Sequence, residues 1–233
     1  MDKTPHYLLI GNGRVSKHFQ HYFQHLGVLY SVWSRGDHNM PSMNEAVRNA
    51  SHILLLIADS AIDPFIEEHL VIQQKIMIHF SGSYQSKFAV STHPLQTFNH
   101  SLYSIEDYKK IPFILDETSS EFEALFPQLP NKHYTIPREL RPYYHTLCVM
   151  ANNFSCLLWQ KLFSEFEVKF KIPEEAIFQI LEKSFSNLQS NWRTALTGPI
   201  ARKDRKALIS NLRSLEDDPY QEIFKAFMGL MDN

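Results

Sequence analysis

Six residues near the start of the chain, Gly11-Asn12-Gly13-Arg14-Val15-Ser16, have the spacing of a turn that cradles a pyrophosphate. In G-x-G-x-x-G/A the first glycine makes the tight turn and the second lets the backbone approach the phosphates. The third small residue lets the helix pack close to the strand. Ser16 fills that third place. The N–H groups and dipole of the following helix then favour an anion. About 20 residues on, an NAD site usually carries Asp or Glu for the ribose 2′-hydroxyl. This chain reads Val32-Trp33-Ser34-Arg35 there, and Asp37 comes slightly late. The Arg35 fork and the Ser34 hydroxyl suit a 2′-phosphate, so NADP(H) is expected over NAD(H). A solvated loop arginine is the alternative for Arg35. The expected cofactor contacts are Gly11, Asn12, Gly13, Arg14, Val15, Ser34 and Arg35, with Ile57, Ala58, Ser81 and Gly82 past later strands.

A nicotinamide supplies hydride, and the protein must hold the substrate and deliver a proton. His145 and Asn152 are seven residues apart on a predicted helix, within about 20° of one face, with Asn153 on a neighbouring flank. His145 is a candidate proton donor near neutral pH, and either Asn152 or Asn153 a holder of the substrate's polar group. Packing and backbone satisfaction are the competing roles for all three. His93, fixed in direction by Pro94, either donates to a substrate carboxylate or braces its loop. Thr197-Gly198-Pro199 with Arg202 one turn on reads as an anion clamp or as a plain interhelical turn. Thr197 and Arg202 are accordingly candidate substrate contacts. The histidines show no metal-ligand spacing, so no metal is expected. Cys148 and Cys156 would stand about 12 Å apart along a helix, too far for a disulfide, and are expected as buried thiols.

These residues need an alternating frame. Tyr7–Ile10, Leu29–Trp33, Ile53–Ile57 and Lys75–Phe80 read as strands, with Phe88–Ser91, Ile111–Leu115 and His133–Ile136 following. Between them, Val15–Leu26, Asn44–Asn49, Pro64–Leu70 and Glu117–Phe126 read as helices. Such alternation implies a mostly parallel sheet covered on both faces. Beyond Pro137 only helices are expected, over Arg141–Phe170, Pro173–Trp192, Asp204–Leu215 and Pro219–Met231. The expected fold class is α/β: a Rossmann-type domain over 1–137, then an all-helical domain over 138–233 for substrate binding and dimerisation.

Composition narrows the partners. The 23 basic and 25 acidic residues leave no excess of positive charge for a nucleic-acid backbone. No apolar run reaches the roughly 20 residues of a membrane span, and no secretory signal is evident. A cytoplasmic setting is expected.

Several segments together resemble one bacterial family. They are Gly11-Asn12-Gly13-Arg14-Val15, Trp33-Ser34-Arg35, His79-Phe80-Ser81-Gly82-Ser83, His93-Pro94-Leu95-Gln96-Thr97-Phe98, Tyr144-His145 with Asn152-Asn153, and Leu196-Thr197-Gly198-Pro199 through Asp204. That family pairs a Rossmann-like domain with a helical domain long of unknown function. It is similar in plan to ketopantoate reductase, β-hydroxyacid dehydrogenase and pyrroline-5-carboxylate reductase, with a second domain like the C-terminal domain of 6-phosphogluconate dehydrogenase. The resemblance implies an NADP(H)-dependent oxidoreductase that reduces a small carboxylate-bearing carbonyl compound of the ketopantoate type. A cyclic imine reductase and a non-catalytic NADP(H) sensor are the alternatives, and a homodimer is implied. Related dehydrogenases place a Lys and an Asn on the first helix of the second domain; His145 stands in for the missing lysine. Asn152 occupies a place where the resemblance leads one to expect Ser.

Overall fold

The computed structural model describes residues 4–37, 39–70, 75–117 and 121–230, which divide into two compact units, 1–154 and 155–233. The first is built on a seven-stranded sheet of order β2-β1-β3-β4-β5-β6-β7. Its strands are β1 (His6–Ile10), β2 (Leu29–Trp33), β3 (His52–Leu55), β4 (Ile76–His79), β5 (Val90–Pro94), β6 (Phe113–Asp116) and β7 (His133–Ile136). The pairs from β2 across to β5 are parallel; β6 runs antiparallel to β5, and β7 parallel to β6. Because β1 lies between β2 and β3, the order in which strands are laid down reverses at β1, and a crevice opens beyond the carboxyl ends of β1 and β3.

Alternation of side chains gives the sheet two cores. Tyr7, Leu9 and Leu54 face one cluster, with Phe19, Phe23, Phe113 and Phe126. Leu8, Ile10, Ile53 and Leu55 face the other, with Met43, Val47, Ile62 and Ile66. Helix α1 (Arg14–Leu26) supplies the first set through Phe19, Tyr22 and Phe23 and ends at Gly27, whose φ of 65° is left-handed. Helices α2 (Met40–Asn49) and α3 (Ile62–His69) cover the second face. A short helix α4 (Ile105–Lys110), not expected from the apolar pattern, is set by the Ser104 side chain accepting the Asp107 N–H.

Several expected boundaries move; α2 begins at Met40 rather than Asn44, because the Asn39 side chain accepts the Ser42 N–H and caps it there. The strand expected at Phe88–Ser91 lies at Val90–Pro94, because Ser86 takes the N–H groups of Phe88 and Ala89 and delays the sheet. Of the helix expected over Glu117–Phe126, α5 (Phe122–Leu125) is seen, and residues 118–120 lie outside the described residues. The long helix expected over Arg141–Phe170 is interrupted. Helix α6 (Arg141–Cys148) passes into a π-helical segment, Val149–Phe154, where the first unit ends.

Among the described residues the second unit holds helices joined by turns and no strand. It begins with α7 (Ser155–Glu165), followed by a second π-helical segment, Phe166–Phe170. Then come α8 (Glu174–Asn191), α9 (Gly198–Ala201), α10 (Arg205–Arg213) and α11 (Tyr220–Gly229). The last expected helix reached Met231, which lies outside the described residues. Lys161 ties α7 to the start of α11, meeting Glu165 at 2.7 Å and Asp218 at 2.6 Å. Among the described residues no helix is long and apolar enough to cross a membrane.

Candidate active site

The turn after β1 is shaped by two glycines with different jobs. Gly11 has φ of 110° and a β-carbon on it would stand 2.3 Å from the Leu56 carbonyl oxygen, so only glycine fits. Its N–H donates to Trp33 O at 2.8 Å, which locks the turn to β2. Gly13 has an ordinary extended conformation, and a β-carbon there would meet nothing within 4 Å. The fold itself therefore does not demand glycine at 13. Leaving it bare keeps open the space ahead of α1, whose first N–H groups receive no side-chain cap from Gly13. Ser16 is fully buried and donates its hydroxyl to Gly11 O at 2.7 Å, which accounts for serine at a position usually read as glycine.

Beside this turn lies a pocket of about 400 Å³ lined by Gly11, Asn12, Trp33, Ser34, Arg35, Ile57 and residues of α3. Arg35 is exposed. Ser34 is buried, and its hydroxyl donates to Asp37 Oδ2 at 2.5 Å; the same oxygen accepts from Asn12 Nδ2 at 3.1 Å. Arg14 and Val15 open α1, and Ala58 follows Ile57 past the end of β3.

A second pocket, about 530 Å³, opens where β5 ends and α6 passes into the π-helical segment. His93, Tyr144, His145, Cys148, Asn152 and Asn153 line it, with Leu95, Leu147 and Val149. Four of the residues singled out for proton delivery and substrate holding thus meet in one cavity of the first unit. The α-helical spacing that was to align Asn152 with His145 does not apply, because the wider π turn intervenes. Both asparagines nevertheless reach the cavity.

His145 lies against Gly82. A β-carbon on Gly82 would come 2.2 Å from His145 Cδ2, so the glycine admits the ring. His145 in turn meets the His93 ring edge-on, 5.6 Å between centroids. His93 Nδ1 and the Tyr144 hydroxyl share a hydrogen bond of 2.7 Å. Burial, then the neighbouring His145 and Arg141, push the His93 imidazole down to about 3. Burial, with Cys148 beside it, raises Tyr144 above its ordinary range. The pair is therefore a neutral imidazole and a protonated phenol at physiological pH.

Two residues that carry this arrangement had not been singled out. Tyr144 is one, passed over beside the more obvious His145. Arg141 is the other: fully buried, it donates to Asp116 at 2.5 Å and to the carbonyls of Ile114 at 3.2 Å and Ser81 at 3.4 Å. It thereby fixes the start of α6 to β6 and to the loop after β4. Ser81 is anchored from the other side by donating to Asp59 at 2.6 Å.

Thr197 and Arg202 belong to the second unit, where they bracket the short helix α9, whose first residue, Gly198, has φ of 70°. Cys148 and Cys156 are free thiols and half-buried rather than buried. Among the described residues no cluster of His, Cys, Asp or Glu could hold a metal ion.

Residues 115–229 match the family described as a domain of unknown function, DUF2520. A search of curated proteins finds no match. Solved structures of like fold include a Bacteroides fragilis protein, BF3122, named provisionally as an NADP oxidoreductase. The likeness covers 97% of each chain at 22% identity, with a TM-score of 0.76. An imine reductase from Myxococcus stipitatus in complex with NADP+ is 12% identical over 98% of this chain and 93% of its own, with a TM-score of 0.66. Pyrroline carboxylate reductase from Plasmodium falciparum with NADP bound is 13% identical over 98% of this chain and all of its own, with a TM-score of 0.58. At these identities the likeness is one of fold: a Rossmann-type sheet followed by helices.

Proposed function

We propose that this protein is an NADP(H)-dependent reductase of a small compound bearing a C=N or C=O bond. The observation that carries the reading is the meeting of His93, Tyr144, His145, Asn152 and Asn153 in one cavity, with the His145 ring of α6 packed against Gly82 of the loop that leaves β4. That loop and the Gly11 turn lie at the same, carboxyl edge of the parallel strands, where such sheets bind ligands.

The residues fit the cofactor. Gly13 leaves room where the fold needs none, and the uncapped N–H groups of α1 suit the pyrophosphate. Arg35 and Ser34 in the adjoining pocket suit the adenosine 2′-phosphate. The bound nicotinamide supplies the hydride. The Tyr144 hydroxyl holds a proton for the developing alkoxide or amine, and His93 Nδ1 orients that hydroxyl. His145 offers a second donor, and the carboxamides of Asn152 and Asn153 hold the substrate's polar group.

An imine is the favoured substrate. The described residues that line the cavity include no Lys or Arg to pair with a carboxylate, and one of the like-folded proteins carries imine reduction in its name. A carboxylate-bearing carbonyl of the ketopantoate type is the second reading. It needs a cation, and the exposed guanidinium assigned to it is Arg202, with Thr197 as its companion.

We further propose a homodimer formed through the helical unit. Among its described residues Ile177 and Leu208 are buried, while Phe178, Ile180, Phe185, Leu188 and Trp192 of α8 and its end stand exposed.

NADPH oxidation against a panel of cyclic imines and 2-keto acids tests the reading. Turnover of an imine supports it; turnover of 2-keto acids alone moves the assignment to the second reading. Tight NADPH binding with no turnover of either class identifies a sensor instead. Sedimentation that finds only monomer at micromolar concentration refutes the dimer.

A further inference from the structure

We propose that Asp37 is a specificity-determining residue that opposes the 2′-phosphate and moderates the preference for NADP(H); this rests on the cofactor reading above. A serine hydroxyl has one hydrogen to give. In this structure Ser34 gives it to Asp37 Oδ2, 2.5 Å away, and Asn12 donates to the same oxygen from 3.1 Å. A 2′-phosphate dianion and a carboxylate are both pure acceptors. They compete for the one Ser34 hydrogen and repel each other across the few ångströms that separate partners of one hydroxyl. A ribose 2′-hydroxyl meets no such conflict, because it can donate to the carboxylate while Ser34 keeps its bond. Binding NADP(H) therefore requires the Ser34 hydrogen to turn from Asp37 to the phosphate, with Arg35 offsetting the charge; binding NAD(H) leaves the network intact. The backbone supports this geometry independently of side chains, since the Asp37 N–H donates to Ser34 O at 3.2 Å and closes the loop after β2 into a turn.

The test is a fluorescence or calorimetric titration of NADPH and NADH into the full chain and its Asp37→Asn variant, which keeps the shape and removes the charge. The ratio of NADH to NADPH dissociation constants is expected to rise by about tenfold in the variant, chiefly through tighter NADPH. A second arm keeps the inference testable if the variant is unstable. Ser34→Ala should weaken NADPH more in the Asp37→Asn background than in the natural chain, because a neutral amide oxygen holds the hydroxyl hydrogen less strongly than a carboxylate does. An unchanged ratio in folded Asp37→Asn, or equal effects of Ser34→Ala in both backgrounds, overturns the role of Asp37 while the cofactor reading stands. Failure of the natural chain to bind either nucleotide overturns both.

Discussion

The His145 imidazole rests on Gly82 so closely that a β-carbon there would stand 2.2 Å from its Cδ2 and 2.9 Å from its Nε2. The loop after β4 and the helix that follows β7 are thus spaced by the absence of one side chain.

Gly82→Ala is expected to displace the His145 ring. A misplacement on the scale of 1 Å costs roughly 100-fold in turnover, and overpacking costs about 1–3 kcal/mol of stability. Steady-state kinetics on whichever substrate is turned over, with urea denaturation alongside, reads both. Unaltered kinetics in the folded variant would remove His145 from the working site.

Tyr144→Phe removes the proton held over the cavity and leaves the ring. Turnover should fall by about 100-fold or more, the usual worth of a positioned acid, while NADPH affinity stays as it was. His93→Gln should give a smaller loss, since it orients the phenol without holding the transferred proton. A Tyr144→Phe protein of normal kcat would return the donor's role to His145.

Acid should destabilise the protein in a window set by two buried histidines. Burial, then Arg141, pushes His79 down to about 4, and His93 is pushed to about 3. The unfolded chain protonates both near pH 6.5, so it binds more protons than the folded one at lower pH. Their contribution is complete above about pH 6.5 and shrinks as pH falls toward 4 and below. Urea midpoints from pH 7.5 to 4.5 should decline, and His79→Gln should flatten the decline. An equal slope in that variant would assign the acid sensitivity to other groups.

Arg141→Met leaves the buried Asp116 carboxylate only its longer contact with Arg138, at 3.8 Å, and the expected loss is about 3 kcal/mol. Arg141→Met combined with Asp116→Leu should recover part of it, because the stranded charge is gone. If the double variant is as unstable as the single, the carbonyl contacts to Ser81 and Ile114 matter more than the ion pair.

What could be read in advance was local. The glycine turn, β1 and α1 declare themselves within some 20 residues, through period and turn chemistry, and their bounds move by no more than one residue. The edge of β5 was harder, because Ser86 redirects backbone N–H groups locally. Arg141 was illegible for a different reason. An arginine that opens a helix reads as a solvated residue, and only its partners at 81, 114 and 116 make it interior. Asp37 was judged by its distance from the glycines, whereas its contacts with Ser34 and Asn12 depend on how the β2 loop turns back.

The π-helical segment Val149–Phe154 has a consequence for anyone who compares or re-engineers this chain. A wider turn is, in effect, one residue more than an α-helix would spend on the same rise. Aligned without a gap to a relative whose helix is regular, Asn152 and Asn153 will be matched one place out, and the wrong asparagine will inherit the other's history. A combinatorial library drawn on a helical wheel past residue 149 would scatter its changes over the wrong side. Removing Met150 alone should restore regular winding and turn both carboxamides relative to the cavity that they now line together.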